Sequence, residues 1–157
     1  MRWLIFVASQ KFNWKRQNTW LMMKFVLWIY SFLMKIFDTN IYVSAFWEDD
    51  KRHQICRELL IETEESIVIP DFIIAEVVTV LSKRTQSTKL SHHFIGNITK
   101  DSRFIVINTP FNDVLDLWHQ INHPLSFEDI VVIWVSITYS AEIVTYDQEL
   151  LQIYDWI

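Results

Sequence analysis

Glycine is almost absent from this chain, which has one glycine, Gly96, among 157 residues. Phosphate-binding loops, the dinucleotide-binding fingerprint and the Gly-x-Ser-x-Gly nucleophile turn each need at least two glycines, because their backbone turns sharply or approaches a ligand closely. A single glycine therefore excludes these nucleotide-binding and esterase-type sites.

Cysteine is equally scarce, since Cys56 is the one cysteine of the chain. Without a second cysteine, a disulfide framework within the chain and a cysteine-based zinc site are both excluded. A lone free cysteine usually behaves as a small hydrophobic residue, and we expect Cys56 to lie on the buried face of a helix. This composition is compatible with a reducing compartment, and we expect a cytoplasmic protein.

Positive charge is concentrated in the first 33 residues. Residues 1–33 hold five basic and no acidic residues, whereas residues 34–157 hold nine basic and 19 acidic residues and carry a formal charge of −10. Such a body is not the basic surface typical of a protein that binds nucleic acid without regard to sequence. It is compatible with an enzyme that holds phosphates mainly through a metal ion.

Residues 1–33 form an extension that differs from the rest, with four of the eight tryptophans and no Gly, Pro, Asp or Glu. One interpretation is a signal or membrane anchor with Lys15 and Arg16 on the cytoplasmic side, although Lys24 interrupts its apolar run and no cleavage site is evident. A second is an amphipathic helix that lies on a membrane or a partner. The third, which we favour, is translation from an upstream start codon, with the natural domain beginning at Met34.

From Met34 onward, short apolar strands alternate with helical patterns. We predict strands at residues 35–37, 66–69, 104–107 and 142–145, and helices at residues 53–64, 71–81, 87–98 (ending near Gly96), 112–121, 126–139 and 148–154. This alternation predicts an α/β sandwich around a parallel sheet, and the uniformly apolar strands 67–69 and 104–107 predict coverage on both faces. Ligands of such sheets bind beyond the carboxyl ends of the strands.

Four acidic residues lie within or beside apolar runs, where a solvated charge is not expected: Asp38, Glu76, Asp129 and Asp147. A buried carboxylate is costly unless it has a partner, so four of them in separate elements suggest one shared counter-charge. A divalent cation such as Mg²⁺ fits, because hard ions take carboxylate oxygens.

The segments around these acids resemble the four acidic motifs of the PIN domain, most closely in the VapC-like ribonuclease toxins of prokaryotic toxin–antitoxin pairs. The motifs are Ile36-Phe37-Asp38-Thr39-Asn40, Ile74-Ala75-Glu76, Ser126-Phe127-Glu128-Asp129 and Ile143-Val144-Thr145-Tyr146-Asp147. The resemblance covers about residues 34 to 155 and rests on order, spacing and flanking residues together. It implies a three-layer α/β/α fold with a central parallel sheet, and a toxin that cleaves RNA, forms a homodimer and is silenced by a cognate antitoxin.

The resemblance also implies roles for individual residues. All four acids would be catalytic ligands of Mg²⁺, for which Mn²⁺ can substitute, and Asn40 and Thr145 would orient ligands or water. Each role has a structural alternative: Asp129 as a helix cap with Ser126, Glu76 in a buried ion pair, and Asn40 and Thr145 as turn residues. A non-catalytic PIN-like module that binds RNA or protein is the alternative function.

Overall fold

The computed structural model describes residues 34–121 and 123–155. The predictions for the extension at residues 1–33, including its membrane association, lie outside the described residues and stay predictions. Among the described helices, none combines the length and apolar content needed to cross a lipid bilayer.

The described chain alternates between strands and helices, as its apolar pattern predicts. Its four strands are β1 (Met34–Phe37), β2 (Ser66–Pro70), β3 (Phe104–Ile107) and β4 (Glu142–Val144). Its helices are α1 (Thr39–Phe46), α2 (His53–Glu62), α3 (Asp71–Thr85), α4 (Lys89–Lys100), α5 (Phe111–Gln120), α6 (Phe127–Tyr139) and α7 (Gln148–Tyr154).

The strands form one parallel sheet in the order β3-β2-β1-β4. The chain builds outward from β1 through β2 to β3, then crosses back to place β4 on the other side of β1. The order of strands therefore reverses between β1 and β4, which makes the edge beyond these two strands the expected ligand site. The predicted α/β fold with a central parallel sheet is confirmed.

The core consists of the central strands and the apolar faces of the helices that cover them. Ile67, Val68 and Ile69 of β2 are fully buried, and so is the run 130–133 of α6. Cys56 is fully buried as well, which confirms its prediction as a small hydrophobic residue on a helix face.

Three sequence expectations are wrong. No helix was predicted between Asp38 and His53, yet α1 occupies residues 39–46 and buries Ile41 and Tyr42. Strand β3 lies at the edge of the sheet and exposes 52% of Val106, so it is not covered on both faces. Helix α4 continues past Gly96 to Lys100, because one glycine inside a helix weakens it by only about 1 kcal/mol.

Two helices end at a residue type other than the glycine that is usual there. Helices α3 and α6 end at Gln86 and Ser140, which both adopt the left-handed conformation with φ of 51°. Glycine usually occupies this position because a side chain makes it less favourable. At Ser140 the backbone amide donates to the carbonyl of Ser136, so this terminus is still closed by a hydrogen bond.

Candidate active site

The site lies at the carboxyl edge of the sheet, where β1 and β4 end side by side. Asp38 follows β1 directly, and its backbone amide donates to the carbonyl oxygen of Val144 in β4 at 3.0 Å. Asp147 lies three residues beyond Val144. Neighbouring parallel strands thus bring the first and fourth acidic motifs to the same edge, as their positions after apolar strands predicted.

Asp38 is held by the two residues that the resemblance named as auxiliary. Its Oδ2 accepts a hydrogen bond from Asn40 Nδ2 at 2.5 Å and another from Thr145 Oγ1 at 2.6 Å. Asn40 Nδ2 also donates to Thr145 Oγ1 at 2.9 Å, which closes a triangle among the three side chains. The backbone amide of Asp147 donates to the same Thr145 oxygen at 2.9 Å. Thr145 therefore links the Asp38 carboxylate to the loop that carries Asp147.

Glu76 projects from the middle of α3 toward α1. Its Oε2 accepts a hydrogen bond of 2.5 Å from Thr39 Oγ1, and Thr39 itself is buried. Within the residues that the structure describes, no basic side chain forms an ion pair with Glu76, so the ion-pair alternative finds no support there. Thr39 and Asn40, adjacent in the first turn of α1, thus hold Glu76 and Asp38 respectively.

Asp129 and Asp147 both cap helices at the positions where the resemblance placed metal ligands. Asp129 forms a capping box in α6: Ser126 Oγ accepts from the Asp129 amide at 3.1 Å, and Asp129 Oδ2 accepts from the Ser126 amide at 3.0 Å. Asp147 Oδ1 accepts from the amides of Glu149 and Leu150 at the start of α7. The capping role expected for Ser126 is therefore present. Capping does not exclude ligation, because each cap occupies one carboxylate oxygen.

The charges of neighbouring acids act on Asp38 and on Glu76. Burial is the largest cause that raises the pKa of the Asp38 carboxyl, and the charges of Asp129 and Asp147 raise it further against the lowering effect of the Thr145 hydrogen bond. Burial also raises the pKa of Glu76, against the Thr39 hydrogen bond and together with the charges of Glu128, Asp38 and Asp129. These like charges lie close enough to disfavour ionisation. The acids before α1, in α3, in α6 and before α7 therefore form one region of negative potential.

The donor chemistry of this group fits a hard divalent cation, since every candidate ligand is a carboxylate oxygen. Glu76 Oε1, Asp129 Oδ1 and Asp147 Oδ2 have no hydrogen-bond donor among the described residues. As the side chains stand, however, residues 34–121 and 123–155 contain no group of three or more His, Cys, Asp or Glu residues that could hold a metal ion. A metal held by three of these acids would therefore require at least one side chain to change rotamer.

Two residues of this site lie outside the ligands and auxiliary residues that the resemblance implied. Thr39 was quoted within the first motif but received no role, although a hydroxyl directly after a site aspartate was a usable signal. Glu128 was quoted within the third motif but not among the site residues, and its charge contributes to the raised pKa of Glu76. Its position beside Asp129 in the first turn of α6 could have suggested that it faces the same negative potential.

Comparison with known proteins identifies the family of the chain. The family model of the PIN domain matches residues 35–155, a span that contains all four acidic motifs. The chain belongs to the PIN domain family. No curated protein matches the sequence.

A solved structure supports the PIN fold. The crystal structure of VapC20 from Mycobacterium tuberculosis, a toxin that cleaves the sarcin-ricin loop, superposes with a TM-score of 0.66 at 15% sequence identity. The match covers 76% of this chain and 93% of the VapC20 chain. At this identity the similarity shows that the two chains share a fold.

Proposed function

We propose that this PIN domain is a metal-dependent endoribonuclease and the toxin component of a toxin–antitoxin pair. The observation that carries the proposal is that Asp38 and Glu76, held by Asn40, Thr145 and Thr39, lie near the charge of Asp129 at the carboxyl edge of β1 and β4. Burial, and with it the charges of neighbouring acids, raises the pKa of Asp38 and of Glu76, and carboxyls with raised pKa values are typical of functional sites. Membership of the PIN family supplies the reaction class for such a site.

In this proposal Asp38, Glu76, Asp129 and Asp147 hold Mg²⁺ or Mn²⁺. Such an ion, when bound, activates a water molecule, orients the scissile phosphate and stabilises charge on the leaving oxygen. Asn40 and Thr145 fix the orientation of the Asp38 carboxylate by donating to one of its oxygens. The other oxygen therefore points in a defined direction. Thr39 does the same for Glu76.

The choice of RNA as substrate, the toxin role and the partners rest on the family resemblance and on the cleavage of the sarcin-ricin loop by VapC20. We propose a cognate antitoxin and a homodimer on the same basis, with the cytoplasm as the compartment. A small cavity beside the acids, about 300 Å³ in volume, can admit part of a nucleotide and is lined by Asp38, Thr39, Asn40 and Glu76 among others.

A non-catalytic PIN-like module is the second candidate. The specific observation in its favour is that the acids of the described residues do not form a ready-made metal cluster. Calorimetric titration of the full chain with Mn²⁺ separates the two candidates. Heat of binding that Asp38→Asn abolishes favours the nuclease, whereas no binding by the wild type favours the module.

The deciding experiment measures cleavage of a mixed-sequence single-stranded RNA by the full chain, with Mg²⁺ or Mn²⁺ and separately with EDTA. We expect Asp38→Asn and Asp129→Asn to lower the rate by at least about 100-fold, because each removes a charge that the site uses only when metal and phosphate are bound. Asp116→Asn, an exposed acid on α5, is the matched control and should cleave like the wild type.

Cleavage that persists in EDTA, or that survives both site substitutions, would contradict the proposal. Metal binding without cleavage of the mixed RNA would leave the site in place and direct the search to a structured substrate, which can be tested with total tRNA and ribosomal RNA.

A further inference from the structure

The cavity beside the acids also contains two arginines. Arg52 and Arg84 line it together with Asp38 and Glu76. These arginines place positive charge in the acidic cavity, although residues 34–157 carry a strong negative charge overall.

Arg52 precedes α2 and stacks on an aromatic residue of the loop that follows β4. Its guanidinium carbon lies 4.6 Å from the centre of the Tyr146 ring, a distance typical of a cation–π contact. Tyr146 stands between Thr145 and Asp147 in sequence, and its amide donates to Asn40 Oδ1 at 3.4 Å. The aromatic ring that supports Arg52 is therefore part of the same loop that orders Asp38.

Arg84 is positioned in a similar way from α3. Its guanidinium carbon lies 5.1 Å from the centre of the Trp47 ring, and about half of its side chain is exposed. Its Nη1 forms a long ion pair with Asp50 Oδ2 at 4.0 Å, a distance too great for a hydrogen bond. Asp50 instead accepts a 2.8 Å hydrogen bond from the backbone amide of Arg52 through its other oxygen.

These two guanidiniums differ from Arg103 and Lys35, the two half-buried cations of the described residues. Arg103 donates hydrogen bonds to Asp101 and to carbonyl oxygens near the end of α2. Lys35 forms ion pairs with Glu65 and Glu142. Among the described residues, no group accepts a hydrogen bond from the guanidinium of Arg52 or of Arg84. Stacking against an aromatic face leaves the N–H groups at the edge of the guanidinium available, and their planar arrangement matches two phosphate oxygens.

We propose that Arg52 and Arg84 are positioning residues that hold the RNA phosphates next to the bond being cut. The proposal rests on the function proposed above, because it assigns these residues to the substrate of that site. The acids repel a polyanion until a metal is bound, so local cations within the cavity supply the attraction that brings the backbone to the acids. Aromatic support limits the orientations of each guanidinium and lowers the entropy lost on binding.

The test measures RNA binding separately from cleavage. The full chain is titrated into a fluorescein-labelled mixed-sequence single-stranded RNA in EDTA, and anisotropy gives the dissociation constant over a series of salt concentrations. For single strands, each lost phosphate contact should reduce the slope of log affinity against log salt by about 0.7. We expect this reduction for Arg52→Ala and for Arg84→Ala, and about twice as much for the double variant.

Arg57→Ala is the matched control, because Arg57 is an exposed arginine on α2 that does not line this cavity. It should keep the wild-type slope. Arg52→Lys and Arg84→Lys retain the charge and should keep most of the slope, but with Mn²⁺ present they should cleave with a lower kcat/KM, because an ammonium group cannot hold phosphate through two parallel hydrogen bonds. Thermal unfolding of each variant, measured alongside, excludes loss of fold as the cause.

The outcomes distinguish this inference from the proposed function. No binding by the wild type, an unchanged slope in the double variant, or an equal loss in Arg57→Ala would overturn the role of the arginines, even if metal-dependent cleavage is found. Arginine-dependent binding without cleavage of the mixed RNA, of total tRNA or of ribosomal RNA would support the RNA-binding role of the pair and overturn the nuclease proposal.

Discussion

Tyr42 has a hydroxyl group without a partner in the centre of the core. The residue is fully buried against Phe37, Phe94 and Phe104, and its hydroxyl finds no hydrogen bond among the described residues. A buried polar group that is left unsatisfied costs about 1–3 kcal/mol. We therefore expect Tyr42→Phe to increase the free energy of unfolding by about 1 kcal/mol, measured by urea denaturation.

Tyr154→Phe is the opposing control for that substitution. The Tyr154 hydroxyl is hydrogen-bonded to Ser136 Oγ at 2.8 Å, and Ser136 also donates to the carbonyl of Ala141. Removing a satisfied hydroxyl should lower the free energy of unfolding by about 1 kcal/mol. If Tyr42→Phe instead destabilises the protein, the Tyr42 hydroxyl has a partner such as a buried water.

At the scale of single residues, sequence reasoning found the groups that the family motifs mark but not all of their neighbours. Asn40 and Thr145 were named, and both bind the Asp38 carboxylate. Thr39 was not, because its role depends on how close α3 passes to α1, a tertiary distance that no local pattern encodes. Glu128 was left out of the site for the same reason: its charge affects Glu76 on another helix.

The end of helix α2 depends on one arginine from a distant segment. Arg103, which precedes β3, donates to the carbonyl oxygens of Leu60 at 3.1 Å and of Thr63, while its other nitrogens bind Asp101. These carbonyls belong to the last turn of the helix, where no backbone amide follows to satisfy them. We expect Arg103→Ala to lower the free energy of unfolding by about 1–2 kcal/mol, measured by urea denaturation.

Two further variants show whether geometry or charge is responsible for the effect at Arg103. Arg103→Lys keeps the charge but cannot reach the carbonyls and Asp101 together, so it should lose most of the same stability. Arg57→Ala removes an exposed arginine from α2 itself and should change the free energy by less than about 0.5 kcal/mol. Equal stability of Arg103→Ala and the wild type would show that water satisfies the helix end equally well.

At the scale of elements, the strongly patterned segments were predicted best. The strand at 104–107 and the helix at 148–154 were predicted with their observed bounds, and α6 begins at the Ser126 cap that its sequence indicated. Helix α1 escaped prediction because all eight of its residues are buried or half-buried, with no exposed polar face to reveal a helical period. The exposure of β3 follows from its place at the sheet edge, which the order of elements along the chain does not specify.

At the scale of the whole molecule, the metal-free fold should be destabilised by its own site. Burial first, and repulsion from the nearby acids with it, raises the pKa of both Asp38 and Glu76. The folded chain therefore keeps these protons at pH values where the unfolded chain has released them. That contribution to stability is fully present below the carboxyl pKa values of the unfolded chain and is lost as pH rises through the folded pKa values.

Asp38→Asn and Glu76→Gln remove the charge and nearly preserve the volume of each side chain. In EDTA at neutral pH we expect both variants to have a higher free energy of unfolding than the wild type. The difference should shrink toward mildly acidic pH, where the wild type regains its protons. Asp116→Asn, on an exposed face of α5, should show no such trend. A constant difference across the pH range would mean that changed packing or hydrogen bonding, not charge, causes the effect.

Addition of Mn²⁺ at neutral pH should reverse the order of these stabilities. An ion that binds the folded chain alone raises the free energy of unfolding by RT ln(1 + [L]/Kd), about 2.7 kcal/mol when its concentration is 100 times Kd. The wild type should gain this stabilisation, because the cation offsets the repulsion that raises the carboxyl pKa values, and Asp38→Asn should gain far less. Thermal unfolding followed by circular dichroism, with and without Mn²⁺, measures both effects. A wild type that Mn²⁺ leaves unchanged would indicate that the acids tolerate one another without a metal, as expected of a binding module.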